Sequence, residues 1–248
     1  MPTSNNKPSL PPLGFIAIDI HFHRPPGDPF NQQTWPFPLI RIQAEGSSES
    51  QVVTNDTYDD EFIDRFVQAG SKLAAQGCVG IITSCGFLAM AQPELSARLP
   101  TPIATSALLQ LRSILPLLPS QKTVGILTYD DARLRDSHLA NVGLSPDDIR
   151  RTDIKGAPPT GHLRRVIQDG APYVHTDIER ELVHTVKEMV AENPDIGAIL
   201  LECTQMPPFA EAIQQAVQLP VYDVYTMACW FYSGLVRKTP AAWGRSEG

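Results

Sequence analysis

Short, nearly unbroken apolar runs alternate along this chain with longer stretches in which apolar residues return every third or fourth position. The first pattern reads as buried strand and the second as amphipathic helix. Strands are predicted over 15–20, 79–83, 103–106, 123–128, 196–201 and 221–224. Helices are predicted over 59–76, 87–99, 107–118, 133–142, 175–193, 207–217 and 225–236. In the first of these, Phe62, Ile63, Phe66, Ala69 and Leu73 mark one face, and Gly77 stops the helix. Segment 21–41 carries Arg24-Pro25-Pro26-Gly27-Asp28-Pro29 and Trp35-Pro36-Phe37-Pro38. That much proline excludes a helix and disfavours a central strand, so the segment reads as a lid or binding loop. Segment 153–172 is polar and shows no clear period. Strands alternating with helices call for parallel sheets covered on both faces. The expected fold is therefore α/β, with two pseudosymmetric parallel-sheet α/β domains and the active site in the cleft between them. A flexible tail is expected over 1–11, an N-terminal domain over 12–119 plus 225–248, and a C-terminal domain over 120–224.

The halves repeat each other in detail. Gly80-Ile81-Ile82-Thr83-Ser84-Cys85 and Gly197-Ala198-Ile199-Leu200-Leu201-Glu202-Cys203 each end an apolar run on a cysteine. Each cysteine is followed, at the same distance, by a proline that opens another strand, Pro102 and Pro220. In open parallel sheets, ligands bind beyond the carboxyl ends of the strands, where both thiols fall. A helix start following each thiol would supply free N–H groups and partial positive charge. These lower a thiol pKa and attract a carboxylate. Two thiols facing one cleft suit proton transfer at a single carbon, one acting as base and the other as acid. The bland alternative for a single buried cysteine is a small apolar core residue. It is the better reading for Cys78 and Cys229, which lack the duplicated context.

Composition narrows the partners. The 248 residues are 42% hydrophobic and 19% charged, with a formal net charge of −7. That balance argues against nucleic acid or an anionic membrane as a partner, but not against a small anionic substrate. No apolar stretch approaches the ~20 residues of a membrane span. The polar, Pro-rich start is neither a signal nor a transit peptide. Four cysteines without a secretory signal fit free thiols in a cytoplasmic protein.

Leu201-Glu202-Cys203-Thr204 resembles the Leu-x-Cys-Thr signature of the aspartate/glutamate racemase superfamily, which includes hydantoin racemases, maleate isomerases and arylmalonate decarboxylases. Thr83-Ser84-Cys85-Gly86 resembles its amino-terminal cysteine motif. The resemblance extends through Arg24-Pro25-Pro26-Gly27-Asp28, Thr34-Trp35-Pro36-Phe37-Pro38, Ser84-Cys85-Gly86-Phe87-Leu88 and Glu202-Cys203-Thr204-Gln205-Met206-Pro207-Pro208 to an unassigned subgroup, covering roughly residues 12 to 238. It implies a cofactor-independent enzyme without a metal, with Cys85 and Cys203 as the acid/base pair, and a homodimer by analogy. Two features depart from the amino-acid racemases: the Pro-rich insertion after the first strand, and Glu202 in place of a common Gly. Glu202 is expected to point away from the thiols, since neighbours on a strand alternate.

Among the remaining candidates, Ser84, Thr204 and Thr128 are expected to orient a substrate carboxylate, with Gly86 and Tyr129 lining the pocket. Asp19 would bind a substrate amino group or cap a loop. Arg24, Asn31 and Trp35 belong to the predicted lid. His21 and His23 share one side of an extended chain, but nothing completes a metal site around them, and the helical histidines are placed at packing edges. The activity expected from these residues is a racemase or epimerase acting alpha to a carboxylate or carbonyl of an amino acid, hydantoin or related acid. The alternatives are a maleate-type isomerase, a decarboxylase, or a binder without catalysis.

Overall fold

The apolar run that opens each half becomes a central strand. The computed structural model describes residues 10–239, so the tail expected over 1–11 lies mostly outside the described residues, as does the end of the chain beyond 239. In the first half, β1 (Leu13–Ala17) pairs in parallel with β2 (Leu39–Gln43) on one side and β3 (Ile81–Thr83) on the other, and β4 (Ile103–Ala104) follows β3. The second half holds β5 (Thr123–Thr128), β6 (Thr152–Gly156), β7 (Ile196–Leu201) and β8 (Val221–Tyr222). The sheet orders are β2-β1-β3-β4 and β6-β5-β7-β8. The same order appears twice, as the duplicated pattern requires.

The strands β2 and β6 were not expected. Both are edge strands with one neighbour, and their residues are mostly half-buried. Edge strands of this kind lack the continuous apolar run that marks a central parallel strand. Thr152-Asp153-Ile154-Lys155-Gly156 has a single apolar residue, and the helix His162–Gln168 that follows it hides in the same polar stretch. Two predicted helices are also broken. A 3-10 turn, Gly86–Ala91, precedes the helix Gln92–Arg98, and the segment after β4 is 3-10, then α over Leu111–Ile114, then 3-10 again. Pro93 and Pro116 sit at the starts of their elements, where a missing N–H costs nothing, and neither can occupy the interior of one continuous helix.

The helix Asp60–Ala75 buries Phe62, Ile63, Phe66, Ala69 and Leu73 on the predicted face. The Asp59 carboxylate caps it, accepting the Phe62 N–H at 2.7 Å. Gly77, at φ +82°, takes the left-handed turn out of it. The last helix, Val224–Leu235, returns to the first sheet. Its Val224, Met227, Ala228 and Tyr232 pack with Leu13, Phe15, Ile82, Trp35 and Phe37. Among the described residues no helix is long and apolar enough to cross a membrane. Replacing Asp59 by Ala removes a cap and is expected to lower stability by about 1 kcal/mol. Urea denaturation of the two proteins measures this, and an unchanged midpoint would remove the cap from the account.

Candidate active site

Strands β3 and β7 end on equivalent turns, and these turns face each other. Ser84 and Thr204 are both buried, and the Thr204 hydroxyl donates to the Ser84 carbonyl at 2.6 Å. The Ser84 hydroxyl in turn accepts the Ile18 N–H at 2.8 Å, fixing its turn to the end of β1. Cys85 and Cys203 thereby line one cavity of about 30 Å³, room for about one water. Ile18, Ile20, Phe22, Val53, Phe87, Tyr129 and Ile167 form its apolar walls. Backbone N–H groups are directed at both sulfurs from two residues further on, Phe87 toward Cys85 and Gln205 toward Cys203. The Cys203 thiol donates to Gln205 Oε1 at 3.2 Å.

Glu202 corrects the expectation. It is 1% exposed and lines the same cavity. Alternation turns a side chain to the other face of its strand, but both faces of a parallel sheet are covered, so that face is interior too. There the Thr128 hydroxyl donates to Glu202 Oε2 at 2.7 Å, with the Tyr129 N–H at 3.4 Å. Oε1 is buried without a hydrogen-bond partner. The carboxylate lies against Gly86, where any Cβ would collide with Oε1 and with the Glu202 carbonyl. The absence of a side chain at 86 is what admits the carboxylate. A signal was present in the sequence: an acid ending an apolar strand in one half, opposite a glycine in the other.

Electrostatics also differs from the expectation. The thiols precede 3-10 turns rather than α-helices, and no aligned stack of peptide dipoles faces them. Burial, followed by the charge of Glu202, pushes the Cys85 thiol well above its ordinary value and raises Cys203 in the same way. Burial pushes the Glu202 carboxyl up to about 7, against a smaller opposing effect of the Thr128 and Tyr129 hydrogen bonds. Burial also raises Tyr58, with Cys85 and Glu202 adding to the effect. The Tyr58 hydroxyl lies within hydrogen-bonding distance of the Val52 and Phe87 carbonyls.

Thr128 is not at the cavity wall and serves to hold Glu202. The Thr204 hydroxyl joins the two turns through the Ser84 carbonyl and also accepts from Gln205 Nε2 at 2.9 Å, while the Ser84 hydroxyl accepts the Ile18 N–H. Asp19 is exposed, accepts from Gln43 Nε2 at 2.6 Å and stands outside the cavity. His21 and His23 are exposed. His138 is fully buried rather than at a packing edge, and burial lowers it to about 4.

From the Pro-rich segment, Phe22 and Arg24 reach the cavity. Arg24 lies over the Phe22 ring at 3.8 Å and pairs at 3.3 Å with Asp28, which is 1% exposed. The remaining polar residues of the loop hold the loop itself. Asn31 Nδ2 donates to the Arg24 carbonyl at 2.9 Å and the Trp35 indole to the Pro29 carbonyl at 2.8 Å. Among the described residues no cluster of three or more His, Cys, Asp or Glu side chains could hold a metal ion.

The fold is the one found in solved structures of arylmalonate decarboxylase, of an aspartate racemase homologue, and of glutamate and allantoin racemases. Unliganded arylmalonate decarboxylase superposes with a TM-score of 0.58 at 18% identity, over 91% of this chain and 92% of that one. Allantoin racemase from Pseudomonas fluorescens superposes with a TM-score of 0.59 at 14% identity, over 91% of each chain. No family model matches the chain. The curated relatives point elsewhere in chemistry. A dimethylsulfoniopropionate lyase of Durusdinium sp. clade D is 28% identical over 233 residues, 90% of this chain and 75% of that protein. Dimethylsulfoniopropionate lyase 7 of Emiliania huxleyi (strain CCMP1516) is 27% identical over 238 residues, 91% of this chain and 67% of that protein. These relatives overturn the racemase and isomerase expectation: what the chain resembles in sequence is a lyase.

The buried acid has a measurable consequence. The unfolded chain releases the Glu202 proton near 4.5, whereas the folded protein keeps it to about 7. The folded state therefore binds more protons in that window, and this contribution to stability falls as pH rises through it and is flat above. At ~1.4 kcal/mol per unit the loss is about 3 kcal/mol. Glu202→Gln should erase it, so that the variant gains about that much on the wild type between pH 4.5 and 7 in urea denaturation. Parallel stability curves for the two proteins would contradict a raised Glu202.

Proposed function

We propose that this chain is a lyase that eliminates a neutral sulfide from a β-sulfonio carboxylate, with dimethylsulfoniopropionate as substrate. The observation that carries this reading is the sequence similarity to dimethylsulfoniopropionate lyases across nine tenths of the chain. The thiols supply the base. A thiolate of Cys85 or Cys203 takes a proton from the carbon alpha to the carboxylate. The electron pair of that C–H bond forms the α–β double bond, and the β C–S bond breaks with its electrons leaving on sulfur. Dimethyl sulfide and acrylate are the products, and the proton remains on the cysteine until it returns to solvent.

The charge of such a substrate answers the electrostatics of the empty pocket. Burial and Glu202 hold both thiols protonated. A fixed positive charge ~5 Å away, at an effective dielectric of ~20, favours a thiolate by about 3 kcal/mol, or about two pKa units. The substrate thus helps to ionise its own base. Arg24 is the one guanidinium lining the cavity among the described residues, and a substrate carboxylate would share it with Asp28. The cavity holds about one water, so binding requires the wall made by Ile20, Phe22 and Arg24 to withdraw and close again.

The purified chain, given dimethylsulfoniopropionate, is expected to release dimethyl sulfide and acrylate in equal amounts, measured by gas chromatography and by absorbance. Cys85→Ser and Cys203→Ser should each cut the rate by roughly a hundredfold to ten-thousandfold, the range for loss of a general base or acid. A wild-type protein that releases no sulfide sinks the lyase reading. Unimpaired serine variants sink the role of the thiols.

A further inference from the structure

Glu202 has no part in the elimination as written, yet it is the uncompensated acid of the pocket. Arg24, the only cation at the wall among the described residues, is already matched by Asp28. Thr128 and the Tyr129 N–H satisfy one oxygen of the Glu202 carboxylate, while the other, Oε1, is buried with no partner. A carboxylate oxygen without a partner against a largely apolar wall is destabilising unless something positive arrives. What arrives must need few hydrogen-bond acceptors, because the surrounding wall is largely Ile18, Ile20, Phe22, Val53, Phe87 and Ile167. A primary ammonium carries three N–H donors and would leave most of them unmet. A methylated onium carries none. It presents a diffuse positive surface of methyl groups, which apolar and aromatic walls accept.

Building on the lyase reading, we propose that the Glu202 carboxylate recognises the positive end of the substrate, making this pocket selective for acids that carry a methylated onium group over neutral acids of the same shape. Glu202 is a specificity residue that acts through charge. Gly86 makes room for it and Thr128 holds its far oxygen so that the near one faces the cation.

The test compares binding of two non-sulfur acids to the full chain by calorimetry: 3-(trimethylammonio)propanoate and its carbon isostere 4,4-dimethylpentanoate, which differ in charge and hardly in shape. The wild type is expected to bind the onium acid at least tenfold more tightly than the isostere. Glu202→Gln should weaken the onium acid by about tenfold and leave the isostere unchanged, a split that a merely structural role would not produce. An onium acid that binds the wild type no better than the isostere, or not at all, overturns the proposal without recourse to any variant. So does a preference that survives Glu202→Gln, or equal weakening of both acids. The outcomes separate from those for the lyase reading. Sulfide release without onium preference removes only Glu202's role, and onium preference without sulfide release removes only the reaction.

Discussion

The hydrogen bond from the Thr204 hydroxyl to the Ser84 carbonyl, 2.6 Å long and buried, ties together the two turns that carry the cysteines. Each turn ends a central strand of its own sheet, and the bond joins the two four-stranded sheets at the level of the cysteines. The bond consumes the hydroxyl that a sequence reader would assign to substrate. In return it sets the separation of the two sulfurs and brings Glu202 against Gly86. The Ser84 hydroxyl passes the constraint on to β1 through the Ile18 N–H. The floor of the site is thus assembled from backbone-anchored turns rather than from mobile side chains, the kind of support that holds reacting groups to fractions of an ångström.

Enclosing three acids in one small apolar space has a predictable electrostatic result. Each of Cys85, Cys203 and Glu202 is pushed toward its protonated form, first by burial, and the thiols further by the charge of Glu202. Like charges this close cannot all ionise, so negative charge in the pocket is effectively shared among them. The Arg24–Asp28 pair contributes little net field because it is neutral as a unit. Burial thus favours an uncharged or singly negative site, and a compensating cation beside it would favour ionisation. A permanent local cation would have given resting thiolates open to oxidation; here the positive charge is left to the ligand.

The repeated strand, cysteine and proline pattern made the doubled sheet and the meeting of Cys85 with Cys203 legible before any coordinates, because central parallel strands must be apolar throughout. The edge strands Leu39–Gln43 and Thr152–Gly156 were not legible, since a half-exposed edge with one partner needs no such run. Glu202 was misread for a related reason. Alternation places a side chain on a face, and only the layer covering that face decides whether the position is wet. The bond from the Thr204 hydroxyl to the Ser84 carbonyl was not legible, because a hydroxyl's bond across two halves of a fold depends on packing that no local pattern encodes. Asp19 sat at the right end of the right strand, yet Gln43 of an unforeseen neighbour strand claimed it.

A fold of this kind does not choose between returning a proton and expelling a leaving group. Once the α-proton is gone, the electron pair follows whichever outlet lies lowest. With hydrogen or carbon at the β position the outlet is reprotonation, which demands an acid on the opposite face. With a sulfonium there, a neutral sulfide departs, and the pair is spent in a double bond before a second proton donor matters. Chemistry on a shared scaffold therefore turns on what the pocket tolerates beside the reacting carbon. In this chain that region is walled by aliphatic and aromatic side chains and backed by a carboxylate with one oxygen unanswered. Such surroundings repel a second carboxylate, offer little to a primary amine and suit a methylated cation, and in the proposed reaction its departure as a neutral molecule would leave Glu202 without its counter-charge. On the proposed lyase reading, the loss of that attraction would weaken the pocket's hold on the acrylate that remains, so the charge that admits the substrate would help to release the product.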